Sequence, residues 1–200
     1  MPLLNVSQAL ANQLAELYKE MESRYQVVAD ELHFSCTGCP DNCCDSYFQH
    51  HTYLEWAYMW QGFSSLPTEK QNKIMARATS YVKQSEAMQL NGQRPNGMCP
   101  LNEQGRCTLY SHRYMICRLH GVPAKLTLPD GRNFNFPGCF RCQEIAERLP
   151  AEKKSASLER SDLLKRLADL EIKFIGRGRH EAPKVKMTIA QMLLKGQPQL

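Results

Sequence analysis

Four cysteines lie within the nine-residue run "CTGCPDNCC", residues 36 to 44. The full set of cysteines is Cys36, Cys39, Cys43, Cys44, Cys99, Cys107, Cys117, Cys139 and Cys142. The C-x2-C spacing occurs twice, at Cys36/Cys39 and at Cys139/Cys142, and it lets two thiolates bind one ion from a single turn. These residue types and spacings predict a metal site whose cysteine ligands come from distant segments.

Disulfides and a redox dithiol are the competing uses of so many thiols. The N-terminal segment lacks the charged region, apolar stretch and cleavage site of a signal peptide, which predicts a cytoplasmic protein with reduced thiols. The nine cysteines cannot all pair within one chain. Adjacent Cys43 and Cys44 would also close a strained ring if they paired with each other. A redox C-x-x-C usually accompanies a βαβ pattern, which this sequence lacks, so metal binding is favoured.

The spacing leaves the identity of the metal open. Two C-x2-C pairs would complete a tetrahedral zinc site, but five cysteines would remain. The adjacent pair Cys43 and Cys44 fits two metal sites, or a multi-atom cluster, better than one tetrahedral ion. Iron–sulfur clusters also take thiolate ligands and tolerate irregular spacing. We therefore expect iron, alone or as an iron–sulfur cluster, with zinc as the alternative.

Two segments resemble a known family. The run "CTGCPDNCC" and the later run "CPLNEQGRCTLYSHRYMICRLHG" are similar to the two motifs of the CxxCxxCC cysteine-cluster family of zinc- or iron-chelating domain proteins. The matching positions of the second motif are Cys99, Gly105, Cys107, Tyr110, Arg113, Cys117 and Arg118. The resemblance covers roughly residues 34–145 and implies a bound metal. The chain departs from the motifs by one extra residue before Cys43 and by Tyr114 where the family has proline.

The resemblance also implies an enzymatic alternative. The flagellin lysine methylases, a distant branch, share the cysteine cluster and use an iron–sulfur centre with S-adenosylmethionine. This chain has no Gly-rich turn after a strand of the kind that binds a methyl donor in Rossmann-like enzymes. Whether the protein is an enzyme therefore stays open, and a zinc-stapled scaffold that presents its helices to a protein partner is the third alternative.

Charged and imidazole side chains beside the cysteines are candidates for supporting roles. Arg113 and Arg118 flank Cys117, and their guanidinium groups could offset the negative charge of a thiolate cluster, so we assign them to cofactor binding. His50, His51 and His120 follow cysteines closely and are alternative nitrogen ligands, although solvent-facing, capping or hydrogen-bonding roles are favoured for them.

Composition excludes several classes of function. The net charge of +5 and the pI near 8.7 are too weakly basic to indicate nucleic-acid binding. No run of 18 apolar residues is present, so we expect no membrane span. We interpret the basic residues near the C-terminus as a solvated tail rather than a binding surface: Arg177, Arg179, Lys184 and Lys186.

Periodic apolar residues predict the elements that frame the cysteines. Steps of three and four predict helices over residues 6–32, 52–63, 66–89 and 157–175, with a short helix near Ile189. The segment "KLTLPDGRNFNF" predicts a β-hairpin, and a short strand is expected over 107–110. The expected architecture is mainly α with a small, irregular, metal-stapled α+β centre. We divide it into an N-terminal amphipathic helix (1–33), a cysteine-cluster domain (34–150) and a C-terminal helix with a basic tail (151–200).

Overall fold

The computed structural model describes residues 3–37, 39, 43–150, 156–176 and 182–200, so the tail residues Arg177 and Arg179 lie outside the described residues. Within these ranges the chain is mainly helical with two small sheets, as the sequence predicts. The α-helices are α1 (Gln8–Glu31), α2 (Tyr53–Ser64), α3 (Thr68–Leu90), α4 (Met115–Leu119), α5 (Phe140–Glu147), α6 (Ser161–Ile175) and α7 (Ile189–Lys195). The strands are β1 (Asn102–Glu103), β2 (Arg106–Cys107), β3 (Ala124–Thr127), β4 (Asn133–Phe136) and β5 (Leu158–Glu159), and Cys43–Asp45 and Tyr110–His112 form 3-10 turns.

The chain forms two compact units, each assembled from separated segments. Unit 1 consists of Met1–Asn12, Cys44–Tyr114 and Leu170–Leu200, and unit 2 consists of Gln13–Cys43 and Met115–Asp169. The division at residues 33 and 150 that composition suggests stays a prediction. No helix in the described part of the chain is both long and apolar enough to cross a bilayer.

Unit 1 is built on helix packing. The predicted helices α2 and α3 are present with nearly the expected bounds, and α3 packs against α7. Trp56, Met59, Ile74, Met192 and Leu193 from these three helices are almost completely buried. Burial of large apolar side chains contributes about 2 kcal/mol each, so this contact is the main stabilising feature of the unit.

The start of α2 differs in detail from the sequence pattern. The spacing of Thr52 and Glu55 predicts a capping box, in which the threonine side chain accepts from a helix amide. Thr52 is the N-cap residue, but its hydroxyl donates to the Glu55 carboxylate instead, at 2.7 Å. The first amides are bound by a distant residue: Glu171 accepts from the Tyr53 and Leu54 amides, at 2.8 and 2.7 Å. The predicted capping box is therefore wrong, because the Thr52 hydroxyl donates to the Glu55 carboxylate and accepts from no helix amide.

Unit 2 contains a three-stranded sheet in the order β4-β3-β5. The predicted hairpin is confirmed: β3 and β4 are antiparallel, with Ala124 opposite Phe136. The predicted helix over 157–175 begins later, at Ser161, because Leu158–Glu159 pair in parallel with β3 and the Leu158 amide donates to Pro123 O at 2.8 Å. Likewise, the strand expected over 107–110 is confined to Arg106–Cys107.

Candidate metal centre

The first C-x2-C pair lies in unit 2, just after α1. The Phe34 amide donates to Ala29 O at 2.8 Å and ends the helix, so that the chain leaves it immediately before Cys36. The Cys39 amide donates to Cys36 O at 3.1 Å. This tight turn presents both sulfurs from one short segment, as the C-x2-C spacing predicts.

The second C-x2-C pair lies at the start of α5, also in unit 2. Cys139 is the N-cap residue of α5, and its carbonyl accepts from the Gln143 amide at 3.0 Å. Cys142 lies in the first turn of the helix and is completely buried. Both sulfurs of this pair therefore lie near the positive end of the dipole of α5.

Two glycines hold Cys139 in place. The Cys139 amide donates to Gly121 O at 2.9 Å. Gly138 has φ +85°, and a Cβ there would lie 2.6 Å from Gly121 O, so only glycine fits. A Cβ on Gly121, which has φ +124°, would lie 2.6 Å from the Tyr25 hydroxyl oxygen. The close approach of these backbone segments therefore sets the position of the second pair.

The two pairs lie within electrostatic reach of each other, and Cys36, Cys39, Cys139 and Cys142 are called here the CxxC quartet. Burial, and to a smaller extent negative charge at Cys139 and Cys36, raise the pKa of Cys142 to about 11. The Tyr25 hydroxyl lies 3.8 Å from Cys36 Sγ. Burial, and then the charges of Cys36, Cys139 and Cys43, raise the pKa of Tyr25 well above its usual value, so the phenol keeps its proton.

Arg141 is a functional candidate that the sequence analysis did not select. Its guanidinium hydrogen-bonds to Cys39, and this bond, together with the charges of Cys39, Cys36 and Cys139, raises the pKa of Arg141. Its buried Nη1 atom has no hydrogen-bond partner among the described atoms. The signal that could have revealed it is its place inside the second C-x2-C pair, between Cys139 and Cys142.

Three further cysteines lie in unit 1, at Cys44, Cys99 and Cys107. The Cys99 amide donates to Cys44 O at 2.8 Å. The pKa of Cys99 is raised to about 12, mainly by burial. A hydrogen bond from the Leu101 backbone and the charge of Arg77 oppose this rise, whereas the charges of Cys44 and Cys107 add to it.

The nine cysteines are all free thiols, as metal ligands would have to be. All nine cysteines lie in described ranges, and none forms a disulfide. Among the residues that the structure describes, no group of three or more histidine, cysteine, aspartate or glutamate side chains is arranged to hold a metal ion. The donor chemistry nevertheless suits a metal ion, because two tight turns carry four thiols whose charges act on each other, and thiolates are common zinc ligands. Beside these thiols, the buried Nη1 atom of Arg141 has no hydrogen-bond acceptor among the described atoms.

The other predicted residues lie in varied surroundings. The Arg113 guanidinium lies 3.7 Å from the centre of the Tyr110 ring. Arg118 is buried, forms an ion pair with Glu22 and lies over the Tyr18 ring, at 4.1 Å from its centre. Cys117 lies in α4. Their assignment to metal or cofactor binding stays a prediction.

The two histidines that follow the first cysteine run have partners within unit 1. His50 is buried, and its ring centre is 4.0 Å from that of Tyr114. The Nδ1 atom of His51 lies 3.0 Å from the carbonyl oxygen of Val185. Ring packing and a carbonyl contact thus account for both positions.

Comparison of the chain with protein-family models, with curated proteins and with solved structures found no match in any of the three.

Proposed function

We propose that this chain is a metal-binding protein in which the CxxC quartet holds zinc or iron through cysteine thiolates. The observation that carries the proposal is the closeness of the two C-x2-C pairs, which come from separate segments of unit 2. The Tyr25 hydroxyl lies 3.8 Å from Cys36 Sγ and directly beside Gly121. The Gly121 carbonyl oxygen in turn accepts from the Cys139 amide at 2.9 Å. Four thiolates match the number of protein ligands that structural zinc sites and iron–sulfur clusters use.

The surrounding residues suit a cluster of thiolate ligands. Arg141 hydrogen-bonds to Cys39 and brings a permanent positive charge to a group of sulfurs that would be anionic when they bind a metal. The protonated Tyr25 hydroxyl can donate to Cys36 Sγ from its position 3.8 Å away. Such hydrogen bonds from outside the ligand set orient the sulfurs and reduce their charge.

The role of the metal depends on which one is bound. Zinc with four thiolates would stabilise the fold, whereas an iron–sulfur cluster would add electron-transfer chemistry. Three of the four cysteines of the quartet are not buried in the apolar core, since Cys36 is exposed and Cys39 and Cys139 are partly exposed. A metal that joins these turns would therefore contribute strongly to folding, as structural zinc does in small domains.

An interaction scaffold is a second candidate, favoured by exposed aromatic side chains in unit 2. Phe134 and Phe136 alternate along the edge strand β4, and Phe140 begins α5 directly after Cys139; all three are more than a third exposed. Edge strands and exposed aromatic side chains are common features of protein-binding surfaces. In this alternative, zinc at the quartet would hold a surface that binds a protein partner.

Metal analysis of the protein purified without oxygen tests the proposal. Iron, zinc and acid-labile sulfide are measured per chain, together with the visible spectrum, for the wild type and for Cys36→Ser/Cys39→Ser. We expect stoichiometric metal in the wild type and a loss in the double variant, with Thr37→Ala, which keeps both sulfurs, as the matched control. Brown colour with sulfide indicates the cluster and the enzymatic alternative, and colourless zinc indicates the structural site or scaffold. A wild-type chain with intact thiols and no bound metal overturns the proposal.

A further inference from the structure

Strand β4 forms one edge of the three-stranded sheet of unit 2, and no described segment pairs with its outer side. Hydrogen-bonded and non-bonded pairs alternate along an antiparallel hairpin. The Leu128 amide donates to Arg132 O at 2.9 Å, so the even-numbered residues of β4 are the ones bonded to β3. The amides and carbonyls of Asn133 and Asn135 therefore point away from β3. In this way β4 presents outward-facing backbone donors and acceptors to an incoming strand.

One row of side chains runs across the sheet with decreasing burial. Leu158, Ala124 and Phe136 are register partners in β5, β3 and β4, so their side chains share one face. Leu158 and Ala124 are 2% and 1% exposed, whereas Phe136 is 38% exposed. Phe134 lies two positions earlier on the same face and is 41% exposed. The apolar face is thus covered at β5 and open at β4, where another strand would continue it.

A buried arginine lies against the exposed Phe136 ring. Arg160 follows β5, and its amide donates to Lys125 O at 2.9 Å, so it extends the ladder with its side chain on the face of Leu158. The residue is 8% exposed, and its guanidinium carbon lies 4.9 Å from the centre of the Phe136 ring. Its Nη2 atom donates to the carbonyl oxygen of Leu119. The positive charge is therefore held at the open, aromatic side of the sheet.

Within the described part of the chain, no carboxylate pairs with this guanidinium. The buried Nε atom of Arg160 has no hydrogen-bond partner among the described atoms, and burial lowers the pKa of Arg160 to about 10. The adjacent carboxylate, Glu159, faces the other side of the sheet and accepts from the Ser161 amide at 2.9 Å. A guanidinium removed from water without a counter-ion is unfavourable. This position therefore favours an anion that a binding partner brings.

The surrounding charges indicate which kind of strand the edge accepts. The side chains of β4 itself are all uncharged. The exposed Lys125 lies opposite Asn135 in register, and Arg160 lies on the other face. In the hairpin turn, Arg132 is paired with Asp130 at 2.7 Å. Because the charges that flank β4 are mainly positive, two copies of this edge would repel each other, whereas an acidic strand would be attracted.

We propose that the outer edge of β4 binds an extended segment of a partner protein as an added strand, in which an acidic side chain faces Arg160 and apolar neighbours cover Phe134 and Phe136. Main-chain hydrogen bonds to Asn133 and Asn135 would supply affinity, and the side chains on the aromatic face would supply specificity. The inference gives the scaffold alternative of the proposed function a defined partner. It involves no residue of the CxxC quartet, so strand binding and metal binding can fail independently.

Titration of the full chain with a synthetic peptide tests the inference. In this heptapeptide, threonine alternates with valine, glutamate and valine, so the glutamate and both valines share one face of a strand. Binding is followed by the amide chemical shifts of the isotope-labelled chain. We expect the largest changes at Asn133 and Asn135, and about fivefold weaker binding when glutamine replaces the glutamate of the peptide.

Three outcomes of this titration overturn the inference. Unchanged shifts at Asn133 and Asn135 would exclude strand addition, and equal affinity for the two peptides would exclude an acidic partner. Changes at the same amides on dilution of the chain alone would show that a second copy occupies the edge. Metal content is measured on the same samples, so a chain that holds metal but ignores the peptide overturns this inference and leaves the metal site intact.

Proline at position 135 tests strand addition without disturbing the ladder to β3. Asn135→Pro removes an outward N–H, and edge strands tolerate proline where the N–H faces away from the sheet. We expect it to weaken peptide binding about tenfold, whereas the matched control Asn135→Ala, which keeps the N–H, should bind within about twofold of the wild type. Equal binding by the two variants would overturn the added strand.

Removal of the buried charge tests the choice of an acidic partner. Arg160→Gln should bind the glutamate and glutamine peptides equally, whereas Arg132→Gln, a change at an exposed arginine of the turn, should keep the preference of about fivefold. A preference that survives in Arg160→Gln overturns the assignment of the acidic side chain to Arg160. If that variant fails to fold, the comparison of the two peptides on the wild-type chain still decides whether the partner is acidic.

Discussion

The Cys139 amide donates to the carbonyl oxygen of Gly121 at 2.9 Å, and this bond holds the second C-x2-C pair against a backbone segment distant in sequence. The approach is close because Gly138, directly before Cys139, has no side chain: a Cβ there would lie 2.6 Å from Gly121 O. The geometry of the quartet therefore depends on a contact between main chains, which leads to the first prediction.

Replacing Gly138 should disrupt unit 2 more than a change at a comparable open glycine. Gly138→Ala introduces both a left-handed backbone strain and a clash with backbone atoms, whereas Gly131→Ala, at φ +84° with open space around it, introduces the strain alone. We expect Gly138→Ala to lower the free energy of unfolding by about 2 kcal/mol more than Gly131→Ala, measured by urea denaturation. Equal losses would contradict the close packing at Cys139.

The carboxylate of Glu171 should stabilise the start of α2. It accepts from the Tyr53 and Leu54 amides, at 2.8 and 2.7 Å, near the positive end of the helix dipole. We expect Glu171→Ala to lower the free energy of unfolding by about 2 kcal/mol, since hydrogen bonds to a charged acceptor are strong. Glu69→Ala, which removes an exposed carboxylate paired with Lys73, should leave it nearly unchanged. A similar cost for both variants would show that Glu171 does not cap α2.

His50 should make the stability of unit 1 dependent on pH. Burial, and to a smaller extent the charge of His51, lower the pKa of His50 to about 3. The unfolded chain binds this proton near pH 6.5 and the folded chain does not, so stability is complete above that value and falls as the pH decreases toward 3. Between pH 6.5 and 5 we expect a loss of about 2 kcal/mol from this group.

The variant His50→Phe isolates this effect from other titrating groups. Phenylalanine can keep the ring contact with Tyr114, whose centre lies 4.0 Å from that of the imidazole, but it carries no proton. Urea denaturation at pH 7, 6 and 5 should therefore show a smaller loss for His50→Phe than for the wild type. His33→Gln, a change at an exposed histidine, serves as the control and should keep the wild-type slope. Parallel curves for all three chains would refute the role of His50.

Removal of metal should destabilise the chain if the quartet binds it as proposed. Metal binding contributes roughly 10 kcal/mol in zinc-dependent peptides, and a loss of even a few kcal/mol lowers the melting temperature of a chain of this size by about 10 °C. Thermal unfolding followed by circular dichroism, with and without a strong zinc and iron chelator, measures the shift. Added metal should restore the higher melting temperature, and Cys36→Ser/Cys39→Ser should respond less. A wild-type melting temperature that is the same with and without the chelator would count against a structural metal.

The sequence predicts the long helices and the β3–β4 hairpin because local signals determine them. The apolar steps along α1 and the Pro129–Asp130–Gly131 turn act over a few residues, and each appears nearly where expected. Local sequence patterns do not predict elements that form only through contacts with distant segments. The two-residue strand β5 exists only through its pairing with β3, and α5 is a short helix begun by Cys139. Tertiary contacts decide such elements, and periodicity does not report them.

In the candidate site, too, the sequence predicts local features but not the contacts between distant segments. Spacing identifies each C-x2-C pair, since two thiols three positions apart share a turn whatever surrounds them. It does not identify which turns meet, because that depends on contacts such as the one between Gly121 and Cys139. Arg113 and Arg118 were selected for their closeness to Cys117 in sequence. The contact of Arg141 with Cys39 instead follows from where α5 begins in space.

The packing of α3 against α7 has a consequence for how the protein is made. All of residues 91–188 lie between these helices, so unit 1 cannot close until the ribosome has delivered the last of them. Both C-x2-C pairs emerge earlier than α7, and closure over so long a segment is slow. We expect the nascent chain to expose the sulfurs of the quartet to cellular metal ions while unit 1 is still incomplete.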